Sequence, residues 1–123
     1  MIQLPSVELL GQVLKRKLYK HDPSFLKIED SAYEGQFNAV HINYLDSQGR
    51  MKGYLINVYE LLYLCKVWAC SQGYQIFSHF GGYVTCYVYR DTPKNIIGFE
   101  EFNADATDEP EAVFKVCNWI NNE

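Results

Sequence analysis

Hydrophobic residues recur at helical spacing in three segments, and each segment begins with a residue suited to cap a helix. The segments begin at Ser6, at Asn57 and at Thr107 or Asp108. Side-chain oxygens of these residue types accept hydrogen bonds from the first backbone N–H groups of a helix. We predict that the first helix ends at Asp22-Pro23 and the second near Cys70, with Gly73 as its left-handed cap. Gly11 either weakens the first helix or marks a close contact.

Alternating and apolar runs between these helices predict strands that are joined as hairpins. The strands are residues 37–45 and 51–56, then 74–79 and 83–89, then 96–102, with 25–28 as a candidate short strand. The second hairpin turns at Gly81-Gly82, because glycine readily adopts the positive φ of a two-residue turn. The resulting element order is α-β-β-α-β-β-β-α in a single domain that covers residues 1–123.

A two-residue turn fixes the expected register of the second hairpin. It pairs Phe80 with Tyr83, Ile76 with Tyr87 and Tyr74 with Tyr89 on one face, and leaves Phe77, Val84, Cys86 and Val88 on the other. Both faces are then apolar, whereas a half-solvated antiparallel sheet has one polar face. We therefore predict an α+β fold with a mostly antiparallel sheet of four to five strands and helices on both faces, or a partner subunit on one.

The charge of the chain narrows the classes of partner. A net charge of -4 and a pI near 5.3 make nucleic acid an unlikely partner and favour a protein or a small molecule. Positive charge gathers near the end of the first helix, and negative charge gathers between residues 100 and 111. The positive group is Lys15, Arg16, Lys17 and Lys20. Two solvated faces explain this separation, and docking surfaces are the alternative.

The cysteines and apolar runs indicate a soluble cytoplasmic protein. The four cysteines form no C-x-x-C pair, so we predict free and mostly buried thiols in a reducing compartment. We expect no secretory signal and no membrane span, because apolar runs of the required length are missing.

Catalytic and metal-binding patterns are not recognisable in the sequence. The three histidines lack metal-ligand spacing, and adjacent Glu100 and Glu101 point to opposite faces of a strand. A couple between Cys86 and His79 is conceivable on one sheet face, but the valines around Cys86 favour a buried, inert thiol. We therefore predict a protein that is not an enzyme and that needs no cofactor or metal.

The surplus of tyrosine supplies the candidate site residues. These are Tyr59, Tyr63 and Val67 along the second helix, and Tyr83, Tyr87 and Tyr89 along the second hairpin. Tyrosine is enriched at protein interfaces, because its rigid ring adds contact area and its hydroxyl keeps a polar contact. Buried core is the alternative interpretation of both groups, and base stacking is a less favoured third.

Two segments carry a resemblance to known proteins. Residues 57–69 read NVYELLYLCKVWA and precede Gln72-Gly73-Tyr74, and residues 104–117 read ADATDEPEAVFKVC. Both resemble short proteins of phages and bacterial mobile elements, and the second is similar to the close of the phage ABA sandwich domain. The resemblance covers about the last two-thirds of the chain and implies a sheet between helix layers, but it offers no catalytic residues.

Two functions of different classes follow from these observations. The first is a non-enzymatic phage or mobile-element accessory protein that acts through protein–protein interaction, with self-association as one form of that contact. The alternative is a small-molecule or nucleotide-binding module with an aromatic-lined pocket. In that alternative, Lys15, Arg16 or Arg90 holds an anionic group.

Overall fold

A computed structural model describes residues 3–18, 23–30, 35–90 and 100–123 of this chain. The elements are α1 (Val7–Leu14), β1 (Ser24–Asp30), β2 (Gly35–Leu45), β3 (Met51–Asn57), α2 (Val58–Ser71), β4 (Tyr74–Phe80), β5 (Val84–Arg90), β6 (Glu100–Ala106) and α3 (Glu109–Asn121). The first sheet has the order β1-β2-β3 and the second has the order β4-β5-β6, and all pairings are antiparallel. The fold is therefore α+β, as predicted.

The arrangement of the strands differs from the expected single sheet of four to five strands. The described residues contain six strands in two sheets, and the candidate strand at residues 25–28 is part of β1. The last strand begins at Glu100 and ends at Ala106, later than the expected 96–102, and residues 96–99 lie outside the described ranges. Hydrophobic periodicity identifies single strands, but it does not reveal which hairpins join into one sheet.

Helices on both faces of the sheet are not confirmed. The helix α3 lies against β5 and β6, and α2 lies against β2, β3 and β4. In the second sheet, Val84, Cys86 and Val88 are buried on the inner face, whereas Phe77 on the outer face is 43% exposed. No helix of the described ranges covers that outer face.

The helix α1 is shorter than its hydrophobic pattern predicted. It begins after Ser6, whose hydroxyl accepts from the N–H of Leu9, and it ends at Leu14 because Lys15 adopts a left-handed conformation. Arg16 and Lys17 therefore follow the helix instead of belonging to it, and Lys20 and Asp22 lie outside the described residues. The prediction that α1 extends to Asp22-Pro23 was wrong. Leu18 continues the helical spacing of apolar residues beyond Lys15, but the helix has already ended there.

The caps of α2 and α3 agree with the sequence. The Asn57 side chain accepts a hydrogen bond from the N–H of Tyr59 at 2.8 Å, and Gly73 has a φ of 88° beyond the end of α2. Asp108, and not Thr107, caps α3, because its carboxylate accepts from the N–H of Glu111 at 3.0 Å. Both helices therefore begin where side-chain oxygens satisfy free N–H groups.

A single cluster of buried side chains joins the helices and both sheets. Its fully buried members include Leu9, Val40, Ile56, Leu61, Cys65, Val88, Phe114 and Cys117. Residues from α1, the two sheets, α2 and α3 thus share this core. Packing against it leaves one side of α2 and one face of the second sheet toward solvent.

The second hairpin has a register one residue away from the predicted one. Phe80 pairs with Val84, so the loop holds three residues, Gly81, Gly82 and Tyr83. The N–H of Gly81 donates to the carbonyl of Tyr83 at 3.0 Å and closes this loop. A one-residue slip exchanges side chains between faces. Consequently, Tyr74 lies buried in the core. The predicted register placed Tyr74 on one face with Tyr87 and Tyr89, and this prediction was wrong. Those two residues share the outer face with Phe77 instead.

Candidate functional site

The side of α2 that faces away from the core carries large exposed side chains. Tyr59 is 62% exposed, Tyr63 is 64% exposed and Val67 is 50% exposed. They lie four residues apart, so they form one row along the helix, here called the α2 stripe. The opposite side of α2 packs into the core through Leu61, Cys65 and other buried residues. The buried-core interpretation of these three residues is therefore excluded for the chain as described.

The tyrosine rings of the α2 stripe are available for contact with another surface. Lys66 donates to Glu109 of α3 at 3.3 Å, so its charge is paired at the border of the stripe. Within the described part of the chain, the hydroxyls of Tyr59 and Tyr63 have no hydrogen-bond partner. Each ring thus offers apolar area, and each hydroxyl can form a polar contact with an incoming surface.

A second aromatic surface lies on the outer face of the second sheet. Phe77 stands opposite Tyr87, and its ring meets the ring of Tyr89 edge to face, with centroids 5.5 Å apart. We call these three residues the sheet face. Tyr87 and Tyr89 are half-buried, so this surface exposes less of each ring than the α2 stripe does.

Polar residues border the sheet face on the side of β6. Thr85 donates to Asp105 at 2.6 Å, and Asn103 donates to Glu100 at 3.1 Å. These hydrogen bonds link neighbouring side chains on the outer surface of β5 and β6. The sheet face is therefore an aromatic strip with an acidic border.

The structure does not bring the six candidate residues into one surface. The α2 stripe and the sheet face point away from the shared core in different directions, because α2 packs on the inner side of the strands. Tyr83 is 57% exposed and lies in the hairpin loop, separate from the sheet face. Sequence reasoning missed Phe77, since the predicted register assigned it to the opposite face from Tyr87.

The conceivable thiol–histidine couple is not formed. His79 pairs with Thr85 on the outer face, whereas Cys86 lies on the inner face beside the hydroxyl of Ser78. Burial raises the pKa of the Cys86 thiol, and a hydrogen bond with Cys65 together with burial raises the pKa of Cys117. Raised thiol pKa values oppose the thiolate that nucleophilic chemistry requires.

The three candidate anion-holding residues lie in different environments. Arg90 donates to Glu101 at 3.1 Å and to the Tyr74 hydroxyl at 3.0 Å, and the hydrogen bond to Glu101 raises its pKa. Its guanidinium is thus already engaged. Arg16 has no such carboxylate partner in the described ranges, and Lys15 precedes it at the end of α1.

The described residues contain no group of three His, Cys, Asp or Glu side chains that is placed to hold a metal ion. Each helix in those same ranges is too short or too polar to cross a membrane. No family model matches the chain, and neither a curated protein nor a solved structure matches it.

Proposed function

We propose that this chain is a non-enzymatic accessory protein, of the kind that phages and mobile elements encode, and that it acts through protein–protein contact. The contact surface is the α2 stripe, and the first partner is a second copy of the chain. The observation that carries this proposal is the exposure of Tyr59, Tyr63 and Val67 on one side of a helix. Tyrosine is enriched where proteins meet.

The spacing of the stripe supports a helix pair. Side chains four residues apart form ridges that pack into the grooves of another helix, with the axes crossing at about −50°. Tyr63 is the middle residue of the stripe. A two-fold axis at Tyr63 places Tyr59 of one copy beside Val67 of the other, so each exposed side chain meets an apolar partner. A stable dimer buries about 800 Å² per partner, so side chains that flank the stripe join the contact.

The sheet face is the less favoured surface for this contact. Its tyrosines are half-buried, and the acidic border along β6 repels a second copy that approaches with the same face. Charges of equal sign that meet across an interface oppose association. The border of the α2 stripe carries charges of both signs, namely the exposed Glu60 and the ion pair between Lys66 and Glu109.

Sedimentation of paired variants tests the proposal. The double variant Tyr59→Ala/Tyr63→Ala should shift the protein from dimer to monomer at micromolar concentration. The matched variant Phe77→Ala/Tyr87→Ala removes two aromatic rings from the sheet face and should leave the dimer intact. A wild-type protein that sediments as a monomer throughout, or a dimer that only the second variant dissociates, would refute the proposal.

A further inference from the structure

An arginine that follows α1 is held against two tyrosine rings of the first sheet. The guanidinium carbon of Arg16 lies 4.6 Å from the ring centroid of Tyr44 and 5.5 Å from that of Tyr54. Those rings meet edge to face at 6.3 Å. Lys52 pairs with Tyr44 across the hairpin and so lies on the same face of the sheet. Cation–π contacts at these distances orient the guanidinium.

The backbone is fixed on both sides of Arg16. The N–H of Leu45 donates to the carbonyl of Lys17 at 2.9 Å, as part of an antiparallel bridge between Leu18 and Tyr44. The N–H of Arg16 donates to the carbonyl of Gly11 at 3.2 Å. A Cβ atom at Gly11 would lie 3.3 Å from the carbonyl oxygen of Arg16, so the absence of a side chain permits this close approach. The basic segment is therefore pre-organised.

The cations of this cluster, Lys15, Arg16, Lys17 and Lys52, form no salt bridge within the described ranges. The charge of Lys52 does attract the carboxylate of Asp46. Asp46, in the turn of the adjacent hairpin, already accepts hydrogen bonds from Arg50 and Gln48. Four cations that form no salt bridge among the described residues, in a chain of net charge -4, produce a local positive field.

One of these cations occupies a strained position. Lys15 has a φ of 54° and a ψ of 44°, and it is the one non-glycine residue with positive φ among those described. Glycine adopts this helix cap without steric cost. Strained residues cluster at binding and catalytic sites. The strained Lys15 beside Arg16 is therefore a candidate for a role in binding.

We propose that Lys15, Arg16, Lys17 and Lys52 form a binding site for a compact polyphosphate anion, such as the phosphate chain of a nucleoside di- or triphosphate. The planar fork of Arg16 donates two hydrogen bonds to phosphate oxygens, and the lysines supply point charges around it. The acidic remainder of the chain repels an extended nucleic acid but not a ligand of this size. The site shares no residue with the α2 stripe. The test of anion binding is therefore independent of the test of self-association.

Calorimetric titration with inorganic tripolyphosphate and with ATP tests this site. Both ligands should bind the wild-type protein. Arg16→Lys, which keeps the charge and removes the fork, should weaken binding about tenfold. Lys115→Gln removes a positive charge from α3 and should leave binding unchanged. Equal affinity for the two ligands assigns recognition to the phosphate chain, and tighter binding of ATP adds a nucleoside contact. Absence of binding at millimolar ligand, or wild-type affinity of Arg16→Lys, overturns the proposal.

The strained lysine offers a second and independent readout. Lys15→Gly should raise the melting temperature of the free protein, because glycine relieves the left-handed strain. The same variant should bind tripolyphosphate several-fold more weakly than the wild type, since one charge of the cluster is lost. A variant that is more stable and binds with unchanged affinity would show that the Lys15 charge contributes nothing, which overturns its place in the site.

Discussion

At the scale of single residues, the four thiols differ in exposure, with one exposed and three buried. Cys70 is exposed near the end of α2, and Cys65, Cys86 and Cys117 are buried. Cys70 lies three residues beyond Val67, on the side of α2 that faces away from the core.

We expect iodoacetamide to modify one thiol of the native protein and four thiols of the denatured protein. Burial raises the pKa of Cys86, which slows its reaction further, because the thiolate is the reactive form. Mass spectrometry of the intact protein counts the added groups, and Cys70→Ser serves as the control that should take up none. Fast modification of a second cysteine would contradict the buried positions.

Asp46 makes the stability of the first hairpin dependent on pH. The backbone N–H of Arg50 is the largest influence that lowers the pKa of its carboxyl group below the ordinary value of 3.8, and the N–H of Gln48 adds to it. A lowered pKa in the folded state means that the carboxylate stabilises the fold above about pH 4. This contribution disappears as the pH falls through the folded-state pKa.

Asp46→Asn should therefore lower the melting temperature at pH 7, and the difference from wild type should shrink at pH 3. Thermal unfolding followed by circular dichroism at both pH values measures this. A difference that stays constant between pH 7 and pH 3 would show that the charge of Asp46 does not act through these hydrogen bonds.

At the scale of elements, the helix caps were predictable and the end of α1 was not. Ser6, Asn57 and Asp108 carry side-chain oxygens directly before apolar helical patterns, and Gly73 follows α2, so local chemistry identifies these boundaries. The end of α1 lacks this signal, because a lysine occupies the left-handed cap that glycine usually fills.

The register of the second hairpin was also beyond the reach of the local sequence. Two glycines are compatible with a loop of two or of three residues, and the choice depends on which faces become buried. The buried positions of Tyr74 and Val84 select the three-residue loop. The residues of the sheet face could not be predicted without the register of this hairpin. The residues of the α2 stripe could be predicted from helical spacing alone.

Gly73→Ala should destabilise the protein by about 1 kcal/mol, because alanine is strained at the positive φ of this cap. Gly82→Ala is the matched control, since Gly82 does not have positive φ and an added Cβ there has no atom within 4 Å. Chemical denaturation of both variants gives the two free energies of unfolding. Equal values would contradict the role of Gly73 as a left-handed cap.

At the scale of the whole molecule, the core depends on α3 as the element that lies against α2 and the second sheet. Phe114 is fully buried in α3 and, among the residues that the structure describes, is the largest of the fully buried side chains. The amphipathic pattern of α3 could be recognised in the sequence. The division of the strands into two sheets could not be predicted, because hydrophobic periodicity does not indicate which hairpins pair with each other.

Phe114→Ala should lower the free energy of unfolding by about 3 to 5 kcal/mol, because it removes a buried ring and leaves a cavity. Tyr83→Ala, in the exposed loop, should change it by less than about 0.5 kcal/mol. Urea denaturation compares the two. A small effect of Phe114→Ala would mean that α3 does not complete the core.

The proposed contact between two copies of α2 is tested most directly by disulfide trapping at Tyr63. In a background that carries Cys70→Ser, Tyr63→Cys places one exposed thiol at the two-fold axis, and Tyr87→Cys places one on the sheet face instead. We expect mild oxidation to produce a covalent dimer from the Tyr63→Cys protein and little from the Tyr87→Cys protein, as seen by non-reducing electrophoresis. Efficient cross-linking through position 87 alone, or through neither position, would contradict the account.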